Sequence, residues 1–336
     1  MTTPNPTPSR RRSLSGIKST GHPHLGNYLG MIRPAIALQE THDAFYFVAD
    51  LHALTSERDP VAMRQQTYEI TATFLACGLD PQRASFFRQS DVPEVTELAW
   101  YLSCVTAMGE LERAHAFKAK KDEGTDGAAV HGLFAYPVLM AADILIYDAH
   151  VVPVGKDQIQ HIEMTRDWAQ RFNHHFGETF RIPDAMVQKE VMTIPGIDGR
   201  KMSKSYDNGI EVFMPQKKLK QRVMQIVTDS TPLEAPKDPE TCNVVALYKY
   251  FATEDELAEM KAKYRAGNYG YGHAKLALFE AIDRSLGPKR AEYDRLMADK
   301  GELEAVLREG ARKAREVAFD VLGRAREKVG FHRRPV

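Results

Sequence analysis

The sequence predicts an α/β unit built on a parallel sheet, followed by a mostly helical second half. Three observations carry that prediction. Short apolar runs alternate with helical periodicity through the first half. One run, Ala44-Phe45-Tyr46-Phe47-Val48-Ala49, is apolar without interruption, as in a strand covered on both faces. Past residue 210 helical spacing takes over.

Taken in order, residues 1–12 are rich in Pro, Thr and Arg and are expected to form a disordered basic tail. Leu14-Ser15-Gly16-Ile17 reads as a first strand, leading into a Gly/Ser/Thr/Pro loop. Leu25, Tyr28, Leu29, Ile32 and Ile36 follow at helical spacing, with Pro34 placed to kink the helix. The strand 44–49, a helix over 60–78 and a strand over 84–88 come next. Helical spacing runs over 94–121 and again over 137–147. Val151–Val154 is a strand, and a helix follows through Phe172. In 301–329, Leu303, Val306, Leu307, Ala311, Ala314, Val317, Ala318, Val321, Leu322, Ala325 and Val329 form one stripe, which is core packing.

The length of 336 residues suits about two domains at about 150 residues each. Lys+Arg and Asp+Glu are both 45, which excludes a globally basic nucleic-acid coat but leaves room for a local basic patch. Cys77, Cys104 and Cys242 form no CxxC pair, so a zinc ribbon or iron–sulfur site is not expected, and each reads as a small buried hydrophobe. No apolar run is long enough to span a membrane and no secretory segment is visible, so a cytoplasmic protein is expected.

Two segments suit phosphate chemistry. Gly21-His22-Pro23-His24-Leu25-Gly26-Asn27 lies where the first strand hands over to the first helix, which is where an open α/β sheet seats phosphate. By itself it reads equally as a Gly/Pro turn with an incidental histidine. Lys201-Met202-Ser203-Lys204-Ser205 follows turn formers, and its two Lys and two Ser suit a loop that neutralises phosphate. By composition alone it is more readily a solvated loop.

The pair, in this order on an α/β chain, resembles the paired signature of the class I aminoacyl-tRNA synthetases. Asn27 stands where that class has a second His. Gly109-Glu110-Leu111-Glu112-Arg113, Leu139-Met140-Ala141-Ala142-Asp143-Ile144-Leu145 and Val152-Pro153-Val154-Gly155-Lys156-Asp157-Gln158-Ile159-Gln160-His161 further resemble the bacterial-type tryptophanyl-tRNA synthetase family. The sister tyrosyl family shares the fold and differs in these segments.

The resemblance implies a Rossmann-like catalytic domain over 13–210, with a helical insertion and the Lys-Met-Ser-Lys-Ser loop. It implies a helical anticodon-binding domain over 211–330, whose last helix can pack back on the first. It also implies activation of L-tryptophan by Mg-ATP, transfer to the 3′ end of tRNA(Trp), and a homodimer, with the interface expected in 94–118. The first step needs positioning and charge neutralisation, with no covalent nucleophile.

By the same resemblance, Lys18, Ser19, Thr20, Gly26 and Asn27 line the ATP phosphates and ribose, and His24 donates to a phosphate oxygen. Gly155, Lys156 and Asp157 meet the adenosine, with Val191 by the adenine. Lys201 and Lys204 bind the departing pyrophosphate, with Met202, Ser203 and Ser205 framing the nucleotide and Lys120 as a further phosphate contact. No protein metal site is implied, since Mg²⁺ is carried by ATP.

Indole N–H is a donor only, so a buried acceptor selects tryptophan over phenylalanine. Asp143 is the matching residue. Gly16, His52, Met140, Val152 and Val154 shape the indole pocket, and Tyr136 and Gln158 hold the α-amino group. Two positions depart from the family pattern. Lys18 replaces a usual Gln and is expected to change Mg²⁺ demand or inhibition by tryptophan analogues. Leu14 replaces a usual aromatic. Lys217, Lys218, Lys220 and Arg222, and Arg308, Arg312, Lys313, Arg315, Arg324 and Arg326, form basic clusters suited to tRNA phosphates.

Overall fold

The computed structural model describes residues 10–18, 22–114, 130–155, 158–187 and 194–333, with Lys204 described only through its backbone. Five strands, β1 (Arg12–Ile17), β2 (Asp43–Val48), β3 (Ala84–Arg88), β4 (Val151–Val154) and β5 (Asp184–Val187), form one sheet in the order β3-β2-β1-β4-β5. Every pairing is parallel. The first four strands lie where the apolar runs place them. β5 was not anticipated; it is a four-residue edge strand with no buried side chain.

Side chains alternate across the sheet. Leu14, Phe45, Phe47 and Phe87 enter one apolar core; Ile17, Tyr46, Val48 and Phe86 enter the other. Gly16 pairs with Phe47 in register. A Cβ there would lie 2.5 Å from Phe47 Cζ, so only glycine lets this ring cross β1. The chain runs β1 to β3 in one direction and resumes at β4 on the other side of β1. That reversal opens a crevice at the carboxyl ends of β1 and β4.

The first helix is interrupted as Pro34 suggests. α1 (Leu25–Asn27) passes through a π turn, Tyr28–Ile32, into α2 (Arg33–Ala37). Arg33 N–H reaches back five residues to Tyr28 O. The wider turn makes room for a proline that has no amide and crowds the preceding turn. α3 (Asp50–Ala53) and α4 (Pro60–Ala76) follow.

The single helical stretch expected over 94–121 is instead two helices, α5 (Glu94–Ser103) and α6 (Met108–Glu112); residues 115–129 lie outside the described residues. α7 (His131–Leu145) begins before the expected 137 and carries Pro137 inside it. α8 (Ile159–Phe176) completes the first half. Arg12, expected in the tail, opens β1, and Arg11 pairs with Asp184 at 3.0 Å. Cys104 is exposed and Cys77 half-buried, so of the three cysteines only Cys242 is buried as expected.

The second half holds α9 (Gln216–Met224), α10 (Asn243–Tyr248), α11 (Glu254–Ala266), α12 (Tyr271–Ala298) and α13 (Lys300–Lys328). Val244, Leu247, Leu278 and Ile282 share one core with Leu25, Tyr28 and Leu29 of the first helix. α13 turns back onto the sheet. Its stripe from Ala311 to Ala325 packs with Leu14 and Phe87, and Leu303 packs with Ala72 and Ala76 of α4. A Cβ on Gly310 would lie 1.9 Å from Phe86 O, so helix and strand touch backbone to backbone. Ion pairs Glu304–Arg88, Arg315–Glu94, Arg324–Asp148 and Arg326–Glu97 fix the same helix. No described helix is long and apolar enough to cross a membrane.

Candidate active site

The crevice holds a cavity of about 540 Å³, within the range of small-molecule sites. Leu14, Gly16 and Lys18 of the β1 end, Val152, Val154 and Gly155 of the β4 end, and His52, Tyr136, Met140, Asp143 and Gln158 from the flanking helices line it. The structure thus gathers every described residue expected at the tryptophan pocket, and Lys18 and Gly155 with them. Leu14 keeps a place in the wall despite its departure in type.

Asp143 sits on α7 near its carboxyl end and is 1% exposed. His52 Nε2 lies 2.9 Å from its Oδ2. The Gln89 amide donates to both oxygens, at 2.8 and 2.9 Å, and its carbonyl accepts from Leu51 N–H at 3.1 Å. Burial pushes the Asp143 carboxyl above the usual aspartate range, while His52 and Gln89 pull the other way. An ionised carboxylate is an acceptor with lone pairs to spare, so two donors leave it able to take a third.

Tyr136 Oη lies 2.7 Å from His161 Nε2, and His161 Nδ1 lies 2.9 Å from Gln158 Oε1. Lys18 Nζ lies 3.4 Å from Thr55 Oγ1, and partial burial lowers its ammonium from the usual lysine value.

Beside this cavity the two segments expected to suit phosphate meet. His24 caps α1: its Nδ1 accepts from Asn27 N–H at 3.2 Å, and Asn27 Oδ1 accepts from His24 N–H at 3.1 Å. With Nδ1 accepting, the ring proton resides on Nε2, the tautomer that can donate. Gly26 N–H points to Met202 Sδ at 3.3 Å, across 176 residues of chain. Leu25 N–H donates to Ile210 O at 2.8 Å and Val212 N–H to Pro23 O at 3.0 Å, locking the helix start to the strand-like segment after the Lys-Met-Ser-Lys-Ser loop.

Met202 is buried in the core, whereas Lys201 and Ser205 are exposed and Ser203 is half-buried. Ser203 Oγ and Ser205 Oγ lie 2.8 Å apart. Asn208, 1% exposed, ties the loop together. Its Oδ1 accepts from Ser203 N–H at 2.8 Å, and its Nδ2 donates to Asp198 Oδ1 at 2.8 Å and Lys201 O at 3.1 Å.

Ser19, Thr20, Lys120, Lys156, Asp157, Val191 and the Lys204 side chain lie outside the described residues. Gln89, His161 and Asn208 were not among the expected site residues. Gln89 stands directly past the carboxyl end of β3, the position where such sheets place functional groups, and that was its one available signal. Among the described residues no group of three or more His, Cys, Asp and Glu side chains is gathered to hold a metal ion.

A parallel sheet with this switch point thus sets a small-molecule cavity at its carboxyl edge, with a buried acceptor inside it and the two sequence segments joined beside it. The family model of class I tRNA synthetases (W and Y) matches residues 8–287, and the chain belongs to that family. It is 52% identical over 320 residues to the tryptophan–tRNA ligase of Rhodopirellula baltica, covering 95% of this chain and 99% of that one. It is 48% identical over 331 residues to the tryptophan–tRNA ligase of Pseudomonas aeruginosa, covering 95% of this chain and 74% of that one. Among solved structures it is similar to the Campylobacter jejuni tryptophanyl-tRNA synthetase complexed with ADP and tryptophan. The TM-score is 0.91, with 46% identity over 95% of this chain and 100% of that chain.

Proposed function

We propose that the protein is a tryptophan–tRNA ligase. It activates L-tryptophan with ATP to tryptophanyl-adenylate and pyrophosphate, then transfers tryptophan to the 3′ end of tRNA(Trp). The observation that carries the amino-acid specificity is Asp143: a buried carboxylate with two fixed donors, facing a largely apolar cavity.

The indole enters between Gly16, Met140, Val152 and Val154, and its N–H donates to Asp143. Phenylalanine has no such donor and would leave the carboxylate short of a partner. Tyr136 and Gln158 receive the α-ammonium. A carboxylate oxygen of tryptophan attacks the α-phosphorus of ATP, the bond to the β-phosphate oxygen breaks, and pyrophosphate leaves. His24 Nε2–H, Asn27, Lys18, Lys201 and Lys204 surround the phosphates, and Mg²⁺ enters with the triphosphate. The contact of Gly26 with Met202 supports this reading, because it holds the two segments side by side. In the second step a terminal ribose hydroxyl of the tRNA attacks the activated carbonyl and AMP leaves.

The helical second half serves the tRNA. Within the two basic clusters, Arg312, Arg315, Arg324 and Arg326 are held in ion pairs and Lys313 donates to Pro81 O. Arg222 donates to Gly209 O. Lys220 lies over the Phe279 ring, so the exposed Lys217, Lys218 and Arg308 are the better phosphate contacts. Trp100 and Met108, 67% and 63% exposed on α5 and α6, support a second copy of the chain as the partner there. A cytoplasmic setting fits this role.

The test is ATP–pyrophosphate exchange by the purified protein, one amino acid at a time. Exchange with tryptophan alone is expected. Exchange with tyrosine would move the assignment to the sister family, and exchange with none in folded protein would favour a noncatalytic binder.

A further inference from the structure

One cation of the first basic cluster faces inward. Lys217 and Lys218 of α9 are exposed, whereas the Arg222 side chain is only 20% exposed. Leu219 and Val223 of the same helix lie in the core that holds Met202, Ile210 and Val212. Arg222 Nε donates to Gly209 O at 3.0 Å, and Nη2 donates to Asp207 O at 2.5 Å. Nη1 donates to Gln225 Oε1 at 3.3 Å, and the fully exposed Asp207 carboxylate lies 3.4 Å from Nη2. One guanidinium thus spans two carbonyls two residues apart, just past the Lys-Met-Ser-Lys-Ser loop.

We propose that Arg222 is a positioning residue for the nucleotide site, an inference that rests on the tryptophan–tRNA ligase reading above. Its two backbone bonds hold the turn by which the Lys-Met-Ser-Lys-Ser loop returns to His24. Asp207 has a φ of 44°, a left-handed backbone that a non-glycine residue keeps only where its surroundings fix it. The bond to Asp207 O is one such restraint. The Asn208 side chain, between the two gripped carbonyls in sequence, ties Ser203 N–H and Lys201 O from within. A Cβ on Gly209 would lie 3.4 Å from His24 Cβ, so the turn rests against that histidine. Residues 210–212 then run beside 23–25, through Leu25 N–H to Ile210 O and Val212 N–H to Pro23 O. Release of the two carbonyls frees the turn to move off His24, and Lys201 moves with it. A lysine in place of Arg222 would offer a single ammonium and lack the fork that meets both carbonyls at fixed angles.

The test is steady-state pyrophosphate exchange and tRNA charging by the full chain carrying Arg222→Gln or Arg222→Lys. In Arg222→Gln, kcat/KM for ATP is expected to fall about 10- to 100-fold, the cost of hydrogen bonds from a charged group. The KM for tryptophan should hold within about twofold, because no described residue past Gln158 lines its cavity. The KM for tRNA(Trp) in charging at saturating ATP should hold to about the same extent, since the guanidinium is turned to the loop. Arg222→Lys restores the charge without the fork and is expected to leave most of the ATP defect in place.

A raised KM for tRNA(Trp) with unchanged exchange would overturn the proposal and return Arg222 to the phosphate contacts. An equal loss for tryptophan and ATP would overturn it as general damage to the fold, and so would unchanged kinetics throughout. Full recovery in Arg222→Lys would overturn it too, because charge alone would then suffice. If Arg222→Gln does not fold, Arg222→Lys decides: a defect selective for ATP over tryptophan supports the proposal, and its absence overturns it. Wild-type protein that exchanges no tryptophan would fail the underlying reading, an outcome seen before any variant is made.

Discussion

Replacing Gln89 with methionine removes both hydrogen-bonding ends of a side chain while nearly keeping its length. Its amide donates to Asp143 at 2.8 and 2.9 Å, and its carbonyl takes the Leu51 and His52 N–H groups at 3.1 and 3.4 Å. A hydrogen bond to a charged group is worth about 1.5–3 kcal/mol. His52 still holds Asp143 at 2.9 Å, so the lower part of that range applies, about 1.5–2 kcal/mol. At about 1.4 kcal/mol per decade, the KM for tryptophan should rise about 10- to 30-fold while that for ATP holds within about twofold. Losing Gln89 also removes one of the groups that pull the Asp143 carboxyl down against burial. Its pKa rises further, protonation reaches higher pH, and the defect in Gln89→Met is larger at acidic than at alkaline pH. Thermal unfolding should show a loss of about 2–4 kcal/mol, from the missing bond and the orphaned amides. The assay is tryptophan- and ATP-dependent pyrophosphate exchange at several pH values on both sides of neutrality. A lowered melting temperature with an unchanged KM for tryptophan would refute the reasoning, and so would an equal rise for ATP.

Two further outcomes follow from the packing. In Gly310→Ala the new methyl would stand 1.9 Å from Phe86 O, so α13 must lift from β3; urea unfolding should show a loss of about 3 kcal/mol or more, and unchanged stability would deny the close contact. Glu110 is held at about 2 by hydrogen bonds from Arg171 first, then by the Trp168 indole N–H and the Ala107 amide. Its folded value lies below the ordinary 4.5, so the stabilisation is complete above about pH 4.5 and is lost as pH falls through about 2. Glu110→Gln should therefore cost about 1–2 kcal/mol at pH 7, allowing for solvent screening. That deficit should shrink across the same window in acid denaturation; a pH-independent deficit would refute the assignment.

The central strands were legible because burial on both faces leaves no choice of residue: 44–49 and 151–154 are apolar from end to end, and the sheet covers them on both sides. β5 was not, because after the exposed Asp184 its apolar run is only Ala185-Met186-Val187, too short to mark a strand. α7 was placed late because Pro137 reads as a helix start, whereas packing of Val138, Ala141 and Ile144 keeps the helix going on both sides of it. The phosphate motifs were legible as local strings, but their contact through Gly26 and Met202 is a property of the fold. Asp143 carried a flag only through resemblance. Gln89 carried only its place past the end of β3, since the partner that gives it a role is fixed by tertiary packing, as Val48 opposite Arg88 fixes its height.

That height links the far end of the chain to the indole pocket. β3 is an edge strand, and an edge free to slide would carry Gln89 with it. α13 prevents the slide in two ways. Its backbone meets Phe86 O at Gly310, which admits one depth of approach. Glu304 takes Arg88 by both guanidinium nitrogens, at 2.8 and 2.6 Å, and also the Tyr68 hydroxyl at 2.8 Å. Arg88 immediately precedes Gln89, so the clamp acts one residue from the amide that holds Asp143. The last helix is thus more than a lid on an apolar face. A stripe of alanines and one glycine lets it come close, and one glutamate sets the register in which β3 presents its end to Asp143, the acceptor proposed to distinguish indole from phenyl.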